Sequence, residues 1–288
     1  MSAALEIRNL HKRYKGFALE SISFAVPAGP IMGLVGPNGA GKTTIIKLIL
    51  NLVRRDGGEI KVFGRELLDH EKEIKSRIGF VHETPAFIED AHLKDIAAAV
   101  APFYRKWDSS RFRSLAAEFG LPLDKKFKTL SHGTKMKFSL ALALAHDADL
   151  LILDEPTSGL DPVFRLDLLE KLSGIIQDEG KAVLFSTYIT SDLEKTADYI
   201  TLIHGGEVVF SLPKDEVHNS WAVVKGGPDL LTPAYRPLFR TVRETPYGIE
   251  ALTSDAGAVR KAVPQGVIID RASIEDIMLF CEEGGRHA

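Results

Sequence analysis

The chain of 288 residues contains a single cysteine, Cys281, and only two tryptophans. One cysteine excludes an internal disulfide framework and suits a reducing compartment. No apolar run approaches the roughly 20 residues needed to span a bilayer, and Met1-Ser2-Ala3-Ala4-Leu5-Glu6 lacks the character of a secretion signal. Any membrane role must therefore be shared with another subunit. An excess of charge of one sign is lacking too: 36 Lys and Arg stand against 39 Asp and Glu, for a formal net charge of -3. That balance gives no electrostatic reason to expect nucleic acid as a partner. Internal repeats, low-complexity tracts and long linkers are also missing. What remains, with 45% hydrophobic and 26% charged residues, can bury a large core over a length of about two domains.

Against this background one run stands out: Gly36-Pro37-Asn38-Gly39-Ala40-Gly41-Lys42-Thr43-Thr44. It fits the pattern G-x-x-x-x-G-K-[ST], in which a glycine-rich loop wraps phosphates with successive backbone N–H groups. The apolar stretch Ile31–Val35 before it reads as a buried strand, and the run from Ile45 to Leu50 after it reads as an apolar helix start. Strand, loop and helix in that order aim the positive end of the helix dipole at the phosphates. Lys42 is expected to reach the β and γ phosphates, Thr43 to place its hydroxyl on Mg²⁺, and Thr44 to contact the α phosphate. Further along, Leu150–Leu153 reads as a second buried strand, ending in Asp154 and Glu155. These carboxylates suit the other half of such a site, with Asp154 holding Mg²⁺ through water and Glu155 orienting or deprotonating the attacking water.

Four more elements narrow the class. Leu130-Ser131-His132-Gly133-Thr134 precedes the Asp154 strand, and Ser158-Gly159-Leu160-Asp161 follows Glu155 directly. Phe185-Ser186-Thr187-Tyr188 closes another apolar strand, and Glu83 follows Ile78–His82. Together with Tyr14, these motifs make residues 1–215 resemble the ATP-binding subunits of ABC transporters. The stretch Thr187–Glu194 resembles the bacitracin-type export subgroup in particular. The resemblance implies ATP and Mg²⁺ as cofactors and an α/β fold, a P-loop NTPase core of ABC type. It also implies an N-terminal antiparallel β subdomain and an inserted helical subdomain over about residues 84–145. In the family, Tyr14 stacks on adenine, Ser131-His132-Gly133 and Asp161 complete the site of a neighbouring subunit, and Glu83 stands at the Q-loop position near the metal. Partners would be a separate multi-spanning membrane permease and a second ATP-binding subunit, the same chain or a homologue. The place of action would be the cytoplasm, at the inner face of the cell membrane.

The departures from the family pattern bear on turnover. His132 replaces a glycine and Thr134 a glutamine in the signature, leaving Ser131 and Gly133 as the expected phosphate contacts. Glu83 replaces glutamine and adds negative charge to an acidic site. Tyr188 stands where the family has a histidine, and a phenol with an ordinary pKa of about 10 does not become cationic near neutral pH. Slow hydrolysis through Glu155 follows, or a role as the weakly hydrolysing half of a heterodimer.

A soluble ABC ATPase acting on DNA or ribosomes is the other reading. Lys42 and Asp154 are 112 residues apart without sustained heptads, which disfavours the long coiled coil of chromosome-acting members. No Asn-Lys-x-Asp run is present to read guanine.

Within the inserted segment, Asp108-Ser109-Ser110 can cap a helix carrying Phe112, Leu115 and Phe119 and ending at Gly120. Thr84–Ile88, with Leu93 and Trp107, is the expected docking groove for the permease. Residues 216–288 form a small accessory domain of α+β character, with short strands at Val223-Val224 and Val267–Ile269 and a final helix over Ser273–Phe280. It holds no catalytic constellation.

Overall fold

The computed structural model describes residues 3–177, 180–264 and 266–284. Met1 and Ser2 of the N-terminal stretch and residues 285–288 of the accessory segment lie outside the described residues. The chain opens with an antiparallel hairpin, β1 (Ala3–Tyr14) and β2 (Phe17–Pro27), then β3 (Ile31–Val35) and helix α1 (Lys42–Ile49). Strands β4 (Gly57–Val62) and β5 (Arg65–Glu66) complete a four-stranded sheet of order β2-β1-β4-β5. This is the N-terminal antiparallel unit the resemblance implied.

After α2 (Glu71–Lys75) and β6 (Ile78–Val81), the chain leaves the sheet for three helices, α3 (Leu93–Val100), α4 (Ser109–Glu118) and α5 (His132–Leu144). Asp108 caps α4, its carboxylate accepting the N–H groups of Ser110 at 2.7 Å and Arg111 at 3.1 Å. Phe119 ends the helix and Gly120 turns the chain at φ +64°. Phe112 and Phe119 point into the core, as their three- and four-residue spacing requires.

The chain returns as β7 (Leu150–Asp154), α6 (Pro162–Ile175), β8 (Ala182–Thr187), α7 (Thr190–Thr196), β9 (Tyr199–His204) and β10 (Glu207–Pro213). The second sheet runs β10-β9-β3-β8-β7-β6, parallel throughout except for its β10 edge. Every residue of β3, β7 and β8 is buried. That burial on both faces explains why these strands read as unbroken apolar runs rather than as alternating ones.

A short helix, α8 (Lys214–Ser220), leads to a third, antiparallel sheet of order β12-β13-β11-β14. Its strands are β11 (Ala222–Gly226), β12 (Thr241–Thr245), β13 (Gly248–Thr253) and β14 (Ile268–Arg271), with α9 (Ala256–Ala262) and α10 (Ile274–Gly284). Val224, Leu230, Phe239, Ile249, Ala251 and Val259 form a small core of its own. The unit is nonetheless fused to the rest of the protein. Trp221, Ile274, Ile277 and Phe280 belong to the same core as Leu193 and Ile200, and the backbone N–H of Ile274 donates to Glu194 Oε1 at 3.4 Å.

Candidate active site

The carboxyl ends of β3, β7 and β8 lie side by side, the ordinary place for a ligand in an open α/β sheet. The loop after β3 lines a cavity of about 670 Å³ with residues Pro37 to Thr44, joined by Phe17, Glu83, Glu155, Ser158 and Tyr188. Two glycines are fixed by geometry. At Gly36 a Cβ would collide with the carbonyl oxygen of Ile203 on β9, and Gly41 holds φ +112° where a side chain would meet Leu19. Helix α1 then starts at Lys42, three residues before the apolar run that announced it.

Lys42 is buried, and its Nζ donates to the carbonyls of Gly36 at 2.7 Å and Pro37 at 3.3 Å. It also pairs with Glu155 Oε1 at 3.3 Å. The other oxygen of Glu155 accepts the backbone N–H of Tyr188 at 3.2 Å. Glu155 itself sits at φ +49°, an unusual backbone conformation for a non-glycine residue. Burial pushes its carboxyl above the usual glutamate range, while Lys42 and the Tyr188 N–H pull the other way. A carboxyl raised by burial and aimed by two donors is suited to accept a proton from water.

Beneath the loop, Asp154 is fully buried. Its Oδ1 accepts the hydroxyls of Ser186 at 2.6 Å and Thr43 at 3.3 Å, whereas Oδ2 is buried without a partner. An unsatisfied buried carboxylate oxygen next to a threonine hydroxyl fits a hard divalent cation. Among the described residues, no group of three or more His, Cys, Asp or Glu could hold a metal alone. The donor set therefore suits Mg²⁺, which keeps water and binds through one or two protein groups together with substrate phosphates.

The remaining predicted residues fall into two sets. Glu83 and Tyr188 line the cavity, both exposed. Tyr14 lies outside the lining; its cross-strand partner Phe17 is the aromatic within it. Ser131, His132, Gly133 and Asp161 also lie outside. Ser131 caps α5, accepting the Thr134 N–H at 3.2 Å, and Asp161 caps α6, accepting the Phe164 N–H at 2.9 Å. That N–H holds the Asp161 carboxyl below the usual aspartate range. The two caps are neighbours, since the ring of His132 lies against Gly159 and Gly133 approaches Leu160.

Phe17, Ser158 and Ser186 received no role from the sequence. Phe17 could have been found from its place opposite Tyr14 across a tight turn. Ser158 and Ser186 lay inside quoted motifs without a distinguishing signal.

The predicted docking residues divide as well. Thr84, Pro85, Ala86 and Phe87 line a second cavity of about 390 Å³, together with Val100 and Tyr104. Ile88 and Phe103 are strongly exposed apolar residues of the same unit. Leu93 is fully buried in the core and Trp107 leans on Phe112, so neither lines this groove.

Fold and site together define a P-loop ATPase. Residues 19–158 match the family model described as ABC transporter. The bacitracin transport ATP-binding protein BcrA of Enterococcus faecalis is 32% identical over 221 residues, covering 76% of this chain and 72% of its own. The lantibiotic transport ATP-binding protein SrtF of Streptococcus pyogenes is 34% identical over 218 residues, covering 75% and 93% respectively. A solved ATP-binding subunit of an ABC transporter superposes with a TM-score of 0.69 at 29% identity, over 75% of this chain and 92% of its own. The chain belongs to the ATP-binding subunits of ABC transporters and is an ATPase.

Proposed function

We propose that this chain is the motor subunit of an export system, hydrolysing Mg²⁺-bound ATP to drive a separate membrane permease. The observation that carries the mechanism is Glu155, buried and held between Lys42 and the Tyr188 N–H at the mouth of the phosphate loop. On nucleotide binding, Lys42 turns from Glu155 and the loop carbonyls to the phosphates, and the freed carboxylate takes the proton of the attacking water. Bound Mg²⁺ would neutralise charge on the phosphates. Thr43 and Asp154 are the residues to hold it, with Glu83 at its edge.

The site is half complete. Ser131-His132-Gly133 and Asp161 lie outside the cavity of their own chain, with Ser131, His132 and Asp161 exposed and His132 against Gly159. That exposed group suits a second ATP-binding subunit, which would lend its α5 N-terminus to this chain's phosphates. Residues 1–215 form the ATPase domain, 84–145 its helical subdomain, and 216–288 the accessory domain. The groove at Thr84–Phe87 would receive the permease, with the chain acting at the inner membrane face. Among the described residues no helix is long and apolar enough to cross a membrane. Export and a peptide-like or lipid-linked cargo rest on likeness to the bacitracin and lantibiotic transport proteins.

Purified protein should hydrolyse ATP slowly, and Glu155→Gln should abolish turnover while retaining nucleotide and promoting ATP-dependent dimers in light scattering. Co-purification with ribosomes or DNA instead of a multi-spanning membrane protein would refute the transport role. A second reading is favoured by Tyr188: absence of turnover in the single subunit, restored by a homologue, would make this the weak half of a heterodimer.

A further inference from the structure

We propose that Ser186 is a positioning residue that selects which oxygen of Asp154 faces the nucleotide's metal and, through the same hydroxyl, fixes Glu155. This inference rests on the proposed Mg²⁺-dependent ATP site. Ser186 is fully buried on β8 and lies opposite Asp154 in the parallel register of β7 and β8. A serine hydroxyl has one donor and two acceptor positions. The donor goes to Asp154 Oδ1 at 2.6 Å, and one acceptor takes the backbone N–H of Glu155 at 3.1 Å. The Ser186 carbonyl also accepts that N–H, again at 3.1 Å. One β8 residue therefore ties down both carboxylate-bearing positions.

The consequence for Asp154 is an asymmetry. Ser186 and Thr43 both donate to Oδ1, leaving Oδ2 buried and without a partner. Two donors on one oxygen set the rotation of the carboxylate and keep the lone pairs of the other free. Thr43 is itself a metal-ligand candidate. When its hydroxyl turns to the metal, Ser186 is the donor that still holds Asp154 in place. At Glu155 the same residue braces a backbone with φ +49°, the conformation that presents the side chain to Lys42 and the Tyr188 N–H. Without the hydroxyl, Asp154 keeps only the Thr43 donor, which is lost when Thr43 turns to the metal, and the Glu155 N–H keeps only the carbonyl contact.

The test is a Mg²⁺ titration of a fluorescent ATP analogue bound to wild type, Ser186→Ala and Ser186→Thr, alongside binding in EDTA. Ser186→Ala is expected to need about 10–100-fold more Mg²⁺ for the metal-dependent gain in affinity, in the range lost when outer-shell partners of metal ligands are removed. Binding in EDTA should stay within about twofold of wild type, because the phosphate loop is untouched. Ser186→Thr keeps the hydroxyl and should restore the Mg²⁺ requirement. An unchanged Mg²⁺ requirement in Ser186→Ala would overturn the inference. So would an equal loss of binding in EDTA, which marks a general structural role. Failure of the wild type to bind nucleotide under either condition would instead overturn the proposed ATP site.

Discussion

Replacing Glu155 with Gln removes one negative charge from the site with almost no change in shape. The amide oxygen of the new side chain can still accept the Tyr188 N–H, so the backbone at the end of β8 stays anchored. Two effects of opposite sign follow. The first is loss of the base: general-base catalysis contributes about 10²–10⁴-fold, and turnover should fall by that range. The second concerns Lys42, whose Nζ lies 3.3 Å from Glu155 Oε1 with both side chains nearly inaccessible. Unit charges at that separation attract by about 5 kcal/mol at an effective dielectric constant of about 20. Desolvation of both groups offsets most of that attraction. A net of about 1–2 kcal/mol is left for ATP to displace, a factor of about 5–30 in affinity. The variant should therefore bind ATP more tightly while failing to turn it over. Equilibrium binding of a fluorescent ATP analogue and steady-state phosphate release measure the two quantities separately. Weaker ATP binding by Glu155→Gln would refute the competition for Lys42. Turnover above about a tenth of wild type would refute the assignment of Glu155 as base.

Tyr188→His introduces an imidazole that can carry charge near neutral pH, and it should raise phosphate release several-fold without tightening ATP binding much. An unchanged or lower rate would show that the phenol is not what limits turnover. Because burial raises the Glu155 carboxyl, the acid limb of log kcat/KM against pH should lie above the ordinary glutamate range, with activity lost as pH falls through it. A limb at the value of a free glutamate would contradict this. His146 is buried, stacks on Tyr104 at 3.8 Å, and has its pKa pushed down to about 4 by burial. Below about 6.5 the unfolded chain takes up a proton that the folded chain refuses until about 4, so stability is lost as pH falls through that window. Urea unfolding should show wild type losing about 2 kcal/mol more than His146→Phe between pH 7 and 5. Gly36→Ala drives a Cβ into the Ile203 carbonyl and should lower stability by about 1–3 kcal/mol, read as a drop in Tm even without nucleotide.

How much of this was legible in the sequence depended on whether a residue's role is local. The P-loop, the cap at Asp108 and the strand ending at Asp154 are each set by a few consecutive residues, so spacing and residue type sufficed. Leu93 looked like part of a groove because it follows the Thr84–Ile88 stretch, yet the start of α3 carries it into the core. Ser186 was invisible for a different reason. A serine within an apolar strand carries no periodic signal, and its value comes from the β7–β8 register that sets it opposite Asp154. The accessory segment showed its short strands and last helix, but not that α10 shares a core with Leu193 and Ile200. That fusion joins residues about 80 apart and is a property of packing alone.

Three of the four departures from the family pattern have a common location, Thr134 alone being half-buried. Lys42, Asp154, Glu155 and Ser186 are buried, and at these positions the chain keeps the residues that the chemistry requires. Glu83, His132 and Tyr188 are exposed. A substitution at an exposed position leaves the core packing intact, so these three cannot act on turnover by distorting β7, β8 or the phosphate loop. Glu83 and Tyr188 face the nucleotide cavity directly, whereas His132, outside it, would act only in the proposed dimer. His132 and Tyr188 belong to different faces, one beside the Gly159 turn and one on the cavity, and in the proposed dimer a second subunit would bring such faces together over one nucleotide. In the proposed dimer, nucleotide affinity should follow the buried set and turnover the exposed set. Exchanging His132 and Tyr188 for the family's Gly and His should therefore change kcat and the ATP concentration for dimerisation, and leave binding of ATP to the monomer within about threefold. A large change in monomer affinity would place these residues in the primary binding site and end the separation of roles.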